Sequence, residues 1–145
     1  MAHPARYTAD DPYLVRLREI CLSLPGASEK ESHGRPVFCT TKVFAIFGAT
    51  VKGDHWDDRW AQAVVVLPDA DERAALLAQS EQAGDGRVFV PAYHGPSGWI
   101  GLNLAQRPAD QVDWREVAEL VELSYRRTAG TRLVAELDRQ AGQDK

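Results

Sequence analysis

The chain has 145 residues, of which 44% are hydrophobic and 26% are charged, as in an ordinary globular domain. A formal net charge of −4 argues against strong nucleic-acid binding, and no apolar run approaches the ~20 residues of a membrane span. The N-terminus also lacks the apolar segment of a signal peptide. We therefore expect a single domain over residues 1–145, a core from about residue 12 to residue 138, and a cytoplasmic location.

The first predicted helix begins at Asp10 or Asp11, either of which can cap it ahead of Pro12. Apolar residues then recur at helical spacing and form one stripe. Pro25-Gly26 ends the helix. The stripe consists of Tyr13, Leu14, Leu17, Ile20, Cys21 and Leu24. The polar residues 27–35 that follow are predicted to be a connection.

Three β-prone runs come next. Residues 37–40 and 43–47 are separated by Thr41-Lys42, and this spacing predicts a tight hairpin. A second polar connection covers residues 48–59. Residues 60–67, with the sequence AVVVL at the centre, predict a third, buried strand.

The second half of the chain alternates between helices and one hairpin. Pro68 and Asp69 begin a helix that Gly84 and Gly86 end. Residues 88–90 and 98–104 predict two strands joined by a loop rich in proline and glycine. The last long helix starts at Asp113, which can cap it. One or two further helical turns are expected over residues 131–138.

The second hairpin holds the best candidate for a binding surface. Strand alternation puts Ile100, Leu102 and Leu104 on one face and Trp99 on the other. Tyr93 and His94 lie in the adjoining loop, so an aromatic group forms near one hairpin. The alternative for each of these aromatic residues is a structural role, with Trp99 packed on a neighbouring element and the other two bracing the loop.

The predicted order of elements is α-β-β-β-α-β-β-α. Strands that are grouped rather than alternated with helices predict an α+β fold, in which helices cover one face of an antiparallel five-stranded sheet. The result is a two-layer α/β sandwich. The other sheet face is expected to be partly open to solvent, which would make it a binding platform.

Several segments together resemble the MmcQ/YjbR family over nearly the whole chain. They are PGA (25–27), GRPVFCTTKVFAIF (34–47), LPDADERAALL (67–77), VPAYHGPSGWIGLNL (90–104) and VDWREVAELVELSY (112–125). The resemblance implies a fold like that of frataxin and the secretion chaperones. It also implies DNA binding through a double-wing arrangement of hairpins. Relatives often carry a lysine near the place of Leu67, and this chain has none there.

No catalytic or metal signature stands out. Ser97 and His94 lie close in sequence but lack an orienting carboxylate, and Asp54, His55, Asp57 and Asp58 match neither an EF-hand nor a zinc motif. A solvated acidic turn explains the second group better. We expect a non-enzymatic protein that needs no cofactor and no metal.

Two functions remain open for the binding surface. One is weak, salt-sensitive DNA binding, in which basic groups contact phosphates and aromatic rings stack or wedge. The alternative is a module that uses the same aromatic hairpin to bind a small molecule or a protein. The candidate binding residues are Arg35, Lys42, Arg87, Tyr93, His94 and Trp99.

Overall fold

The structure is a computed structural model that describes residues 7–53 and 58–143. Within these residues, four short 3-10 turns lie in three of the connections between the helices and strands. In chain order the elements are α1 (Pro12–Leu22), β1 (Ser28–Ser32), β2 (Arg35–Cys39), β3 (Val43–Phe47), β4 (Ala63–Val66), α2 (Ala70–Ala83), β5 (Val88–Phe89), β6 (Ile100–Asn103), α3 (Trp114–Thr128) and α4 (Thr131–Gln143).

The strands form one antiparallel sheet in the order β1-β2-β3-β4-β6-β5. Helices pack on one face of it, so the predicted α+β fold is confirmed. The sheet has six strands rather than five, because residues 28–32, predicted as a connection, form β1. The predicted hairpins β2–β3 and β5–β6 are both present.

The sequence hides β1 because the strand lies at the edge of the sheet. β1 pairs with β2 alone, and four of its five residues are exposed. An edge strand that is mostly in water needs no apolar alternation, and charges there discourage pairing with other chains. Glu29 is the one residue of β1 that is half-buried, and Arg18 of α1 holds its carboxylate through two hydrogen bonds of 2.6 and 3.1 Å.

Aspartate caps start three of the helices at the expected places. Asp11, Asp69 and Asp113 each accept a hydrogen bond from a backbone N–H in the first turn that follows. The last helix is longer than predicted, because α4 continues to Gln143 instead of ending after one or two turns. Leu137 joins the core, and its packing stabilises turns that local sequence alone would not.

Helix α3 joins the helical layer to the sheet through two adjacent buried side chains. The Ser124 hydroxyl donates to the carbonyl of Phe44 and accepts from the N–H of Leu67, at 2.5 and 2.9 Å. The Tyr125 hydroxyl donates to the carbonyl of Pro25 at 2.7 Å, and its ring packs edge-on against Phe44 with centroids 5.4 Å apart. These interactions fix α3 across β3 and β4.

The second face of the sheet is covered, so the predicted open platform is wrong. A second-face cluster of buried residues lies there, and the chain around residues 48–53 and 58–62 contributes to it. Val51 and Trp99 pack against its margin. The cluster consists of Val37, Ile46, Ala49, Trp60, Ala63, Val65 and Phe89. Sequence alternation marked the faces of each strand but did not show that loops would fold over this one.

A glycine in β6, Gly101, makes this cover possible because it has no side chain. Phe89 lies directly opposite Gly101, and a Cβ on that glycine would collide with the Phe89 ring. The ring occupies the space over the glycine backbone and packs on Trp60, with centroids 4.1 Å apart. The pair buries apolar area in the middle of the second face.

The register predicted for β6 is confirmed. Ile100, Leu102 and Leu104 belong to the core beneath the helices and are at most 3% exposed. Trp99 packs against the cluster on the opposite face. Successive side chains of this segment therefore point to opposite faces of the sheet, as expected for a β-strand.

We predict that Leu102→Ala lowers the free energy of unfolding by about 2–5 kcal/mol, the usual cost of removing a buried leucine side chain. Chemical denaturation measures the change. Leu22→Ala is the matched control, because Leu22 is 42% exposed on α1 and should change stability by less than about 0.5 kcal/mol. A Leu102→Ala midpoint equal to that of the wild type would contradict the register.

Candidate functional site

The candidate site is built on the segment between β5 and β6, residues 90–99, which we call the aromatic loop. The loop is tied to the second-face cover, since the N–H of Ala92 donates to the carbonyl of Thr50 at 2.8 Å. The carbonyl of His94 accepts from the N–H of Ser97 at 3.1 Å within a short 3-10 turn. Gly95 packs closely, because a Cβ there would collide with the Val90 side chain. The loop is thus closed on itself.

Tyr93 projects from this loop. Its side chain is 77% exposed, and Val90 beside it in the loop is 46% exposed. The backbone of Tyr93 adopts the left-handed conformation, with φ at 67°. A bulky residue in that region is uncommon and costs of order 1–3 kcal/mol, and such residues cluster at functional sites. The closed loop holds Tyr93 in this conformation.

His94 lies beside Trp99, with ring centroids 6.0 Å apart and planes tilted by 58°. Partial desolvation lowers the pKa of His94, and electrostatic repulsion from the imidazole of His33 lowers it further. His33 lies in the turn between β1 and β2 and has a left-handed backbone with φ at 53°. The neutral ring of His94 is therefore favoured near pH 7, where it adds a flat, uncharged surface.

Trp99 has two roles in the structure. It is partly buried against the second-face cluster, which agrees with the alternative prediction that Trp99 packs on a neighbouring element. Its remaining surface lies next to His94. The structure thus brings Tyr93, His94 and Trp99 together in one loop. The arrangement places the exposed Tyr93 and His94 in the same loop as a partly buried Trp99.

The three predicted basic residues do not converge on this surface. Arg87 forms an ion pair with Glu116 of α3, with Nη1 and Oε1 2.5 Å apart. Arg35 directs a guanidinium nitrogen to the carbonyl of Ala49 at 3.4 Å. Lys42 is exposed in the β2–β3 turn. Two of the three cations therefore have structural partners. Arg87 precedes β5 and so lies at the opposite end of that strand from the aromatic loop, whereas Arg35 reaches the segment that precedes Thr50.

Sequence reasoning missed the groups that support the loop. Phe89 and Trp60 form the surface beneath it, and Thr50 holds its backbone. One signal was present, because a glycine inside a strand often marks close approach of another group. Gly101 is that glycine, although nothing in the sequence says that Phe89 is the group. Partners so distant in sequence meet only in the folded chain.

Several side chains with nucleophilic or metal-binding chemistry lie in the described part of the chain. The Ser97 and His94 side chains share no hydrogen bond, and burial raises the pKa of the Cys21 thiol. No group of three or more potential ligands is placed to hold a metal within residues 7–53 and 58–143. Asp54, His55 and Asp57 of the predicted acidic turn lie outside the described residues. Across the described helices, none combines the length and apolar character needed to cross a membrane.

Comparisons with known proteins place the fold and the family. The structure is similar to the crystal structure of Deinococcus radiodurans protein DR2400, described with the domain DUF419, with a TM-score of 0.54 and 19% sequence identity. The similarity covers 79% of this chain and 78% of that one, and at this identity it supports the fold alone. No curated protein matches the chain. The YjbR family model matches residues 22–127, which is most of the sequence, and the chain therefore belongs to the YjbR family.

Proposed function

We propose that this protein is a non-catalytic binding protein that contacts a protein partner through the aromatic loop. The observation that carries the proposal is Tyr93, whose side chain is 77% exposed on a strained backbone that the loop holds in place. Tyrosine and tryptophan are among the residues that most often dominate the energy of protein interfaces. Trp99 and the neutral ring of His94 extend the contact area beside it.

The shape of the loop favours a protein partner over a small ligand. Small-molecule sites are concave and surround their ligand, whereas Tyr93 and Val90 are exposed residues on a connection between strands. A projecting tyrosine can enter a pocket of a second protein without losing much conformational freedom, since it has only two side-chain torsions. The fixed loop backbone lowers the entropic cost of binding still further.

We predict that Tyr93→Ser weakens the partner's binding at least about thirtyfold, as expected for an interface residue worth about 2 kcal/mol or more. Immobilised wild-type protein and variant would be used to capture partners from an extract of the source cells. The dissociation constant of each purified partner would then be measured by calorimetry. Val15→Ser, which removes an exposed apolar residue from α1, is the matched control.

Two results would contradict this proposal. One is the absence of any captured protein that distinguishes the wild type from Tyr93→Ser. The other is a purified partner whose dissociation constant is the same for the wild type, Tyr93→Ser and Val15→Ser. Circular dichroism of both variants would show that they are folded.

Nucleic acid is a second candidate partner, and the position of the hairpins favours it. The β2–β3 turn and the aromatic loop leave the sheet at the same end, on either side of β4. At a strand spacing of ~4.8 Å, β3 and β6 are about 10 Å apart. This arrangement is compatible with the double-wing description of the family, with Lys42 in one hairpin and Tyr93 in the other.

Charge opposes this second candidate. Helix α2 begins at the same end of the sheet, and Asp69, Asp71 and Glu72 lie at its start. These carboxylates stand close to the end of β4, between the two hairpins, and would repel phosphates. Arg87 is neutralised by Glu116, and the whole chain carries a charge of −4. We therefore expect any DNA binding to be micromolar or weaker at physiological salt.

A titration of labelled duplex and single-stranded DNA at low and physiological salt tests this candidate. With about two phosphate contacts, binding should weaken about twelvefold between roughly 50 and 200 mM salt. DNA binding predicts loss of affinity in Lys42→Gln and in Tyr93→Ser, but not in Lys30→Gln on the edge strand. The absence of binding at low salt would exclude DNA and leave the protein-binding proposal.

The proposal that the protein is not an enzyme has its own test. We predict that Ser97→Ala and His94→Gln leave any hydrolase or transferase activity in a broad substrate screen unchanged. The physical reason is that the two side chains lack the hydrogen bond and the orienting group that activate a serine nucleophile. An activity that Ser97→Ala abolishes in a folded protein would overturn the prediction.

A further inference from the structure

A second site lies at the far end of β6 from the aromatic loop, where the last residues of β6 meet the first turn of α3. A cleft of about 220 Å³ opens there, which we call the end cleft. Four charged side chains line it, two of each sign. They are Arg87, Arg107, Asp113 and Glu116.

The charges of the end cleft sum to zero, and two of the four are paired with each other. Arg87 and Glu116 form an ion pair on the wall of the cleft, and each side chain keeps about a third of its surface exposed. Arg107 and Asp113 are exposed residues on the connection that leads into α3. The side chain of Asp113 caps α3 through the N–H of Glu116 at 3.2 Å, which uses one of its oxygens. Ionic groups of both signs thus remain accessible to a ligand.

Apolar side chains form the floor of the cleft. Leu102, Leu104 and Val117 are at most 3% exposed, and Val112 is half-buried beside them. Asn103 and Gln106 complete the lining. The volume is below the roughly 300–1,000 Å³ of drug-sized ligand pockets, so only a small molecule fits. A few polar groups around an apolar lining are the usual composition of a small-ligand site.

We propose that the end cleft binds a small zwitterion with an apolar side chain, the chemistry of a free amino acid. A carboxylate of the ligand would lie near Arg107, its ammonium group near the carboxylate of Asp113, and its side chain against Val112 and the apolar floor of the cleft. A site of balanced charge disfavours a phosphate or another polyanion, because Asp113 and Glu116 repel it. A singly charged ligand uses only half of the complementary charges.

The connection from β6 into α3 carries Arg107 and Asp113, the two exposed charged residues of the cleft. The backbone carbonyl of Arg107 accepts a hydrogen bond from the Tyr13 hydroxyl at 2.6 Å, which ties the connection to α1. The side-chain amide of Gln106 donates to the carbonyl of Asp85 at 2.5 Å and ties the connection to the turn before β5. The Arg107 side chain takes no part in these bonds. Its charge can therefore be removed while the hydrogen bonds that hold the backbone stay in place.

The test compares three ligands of similar shape. L-leucine carries both charges, 4-methylpentanoate lacks the ammonium group, and isoamylamine lacks the carboxylate. Chemical-shift changes in proton–nitrogen spectra of the full chain follow each titration. We expect L-leucine to bind in the millimolar range and each singly charged analogue to bind about tenfold more weakly or worse, because one hydrogen bond to a charged group contributes about that factor to affinity.

Charge-removing variants locate the site. Arg107→Gln and Asp113→Asn should each weaken L-leucine binding about tenfold. Asparagine is as good a helix cap as aspartate, so Asp113→Asn keeps the start of α3 intact. Arg115→Gln is the matched control, because its side chain is 91% exposed on the same helix turn and lies outside the cleft lining.

The results either support or overturn the end-cleft site. Shifts that surround the cleft, and that both cleft variants weaken while Arg115→Gln and Tyr93→Ser do not, support it. L-leucine that binds no tighter than the two analogues, or equally well to all four variants, overturns it. The absence of shifts with millimolar L-leucine also overturns it. Tyr93→Ser separates this site from the proposed function of the aromatic loop.

Discussion

The packing of Phe89 on the backbone of Gly101 decides how the second face of the sheet is used. Because Gly101 has no Cβ, the Phe89 ring lies over the strand and packs on Trp60. Any other residue at 101 would occupy the same space and displace the ring. The ring pair holds residues 58–62 on the sheet, and the aromatic loop rests against this cover through Trp99 and Thr50. A face that strand alternation alone would leave partly open is therefore closed.

Closure of both faces leaves the ends and edges of the sheet as the candidate binding surfaces. On the helical side, Ser124 forms hydrogen bonds to the backbone of β3 and to Leu67 just after β4. Tyr125 forms a hydrogen bond to Pro25, in the connection between α1 and β1. The middle of the sheet is then inaccessible from either side. The aromatic loop and the end cleft both lie where strands end, and the backbone leaves regular hydrogen bonding there. Rigid strands beneath such connections hold side chains in fixed positions, which is the usual arrangement of a binding site.

Several cations of this chain serve the fold. Arg18 joins α1 to the edge strand through Glu29, Arg87 joins β5 to α3 through Glu116, and Arg35 reaches the carbonyl of Ala49. A guanidinium held by a carboxylate or a carbonyl has fewer donors left for a phosphate. This is the main reason for preferring a protein partner to nucleic acid, in spite of the paired hairpins. Desolvation also lowers the pKa of His94, so its ring is favoured in the neutral form and offers no positive charge to a phosphate.

Elements whose causes are local could be predicted from the sequence. Three aspartate caps, the period-two pattern of Ile100, Leu102 and Leu104, and the glycines after α2 were sufficient to place helices and one hairpin. The aromatic group of the candidate site was also visible, because its members are close in sequence. Tertiary structure alone decided the pairing of β1, the cover of the second face, the partners of Arg35 and Arg87, and the end cleft. β1 pairs with its neighbour in sequence, β2, across a two-residue turn, but its exposed position at the edge leaves no apolar pattern to reveal it. The other features depend on residues farther apart in the chain, such as positions 87 and 116, which only the packed fold brings together.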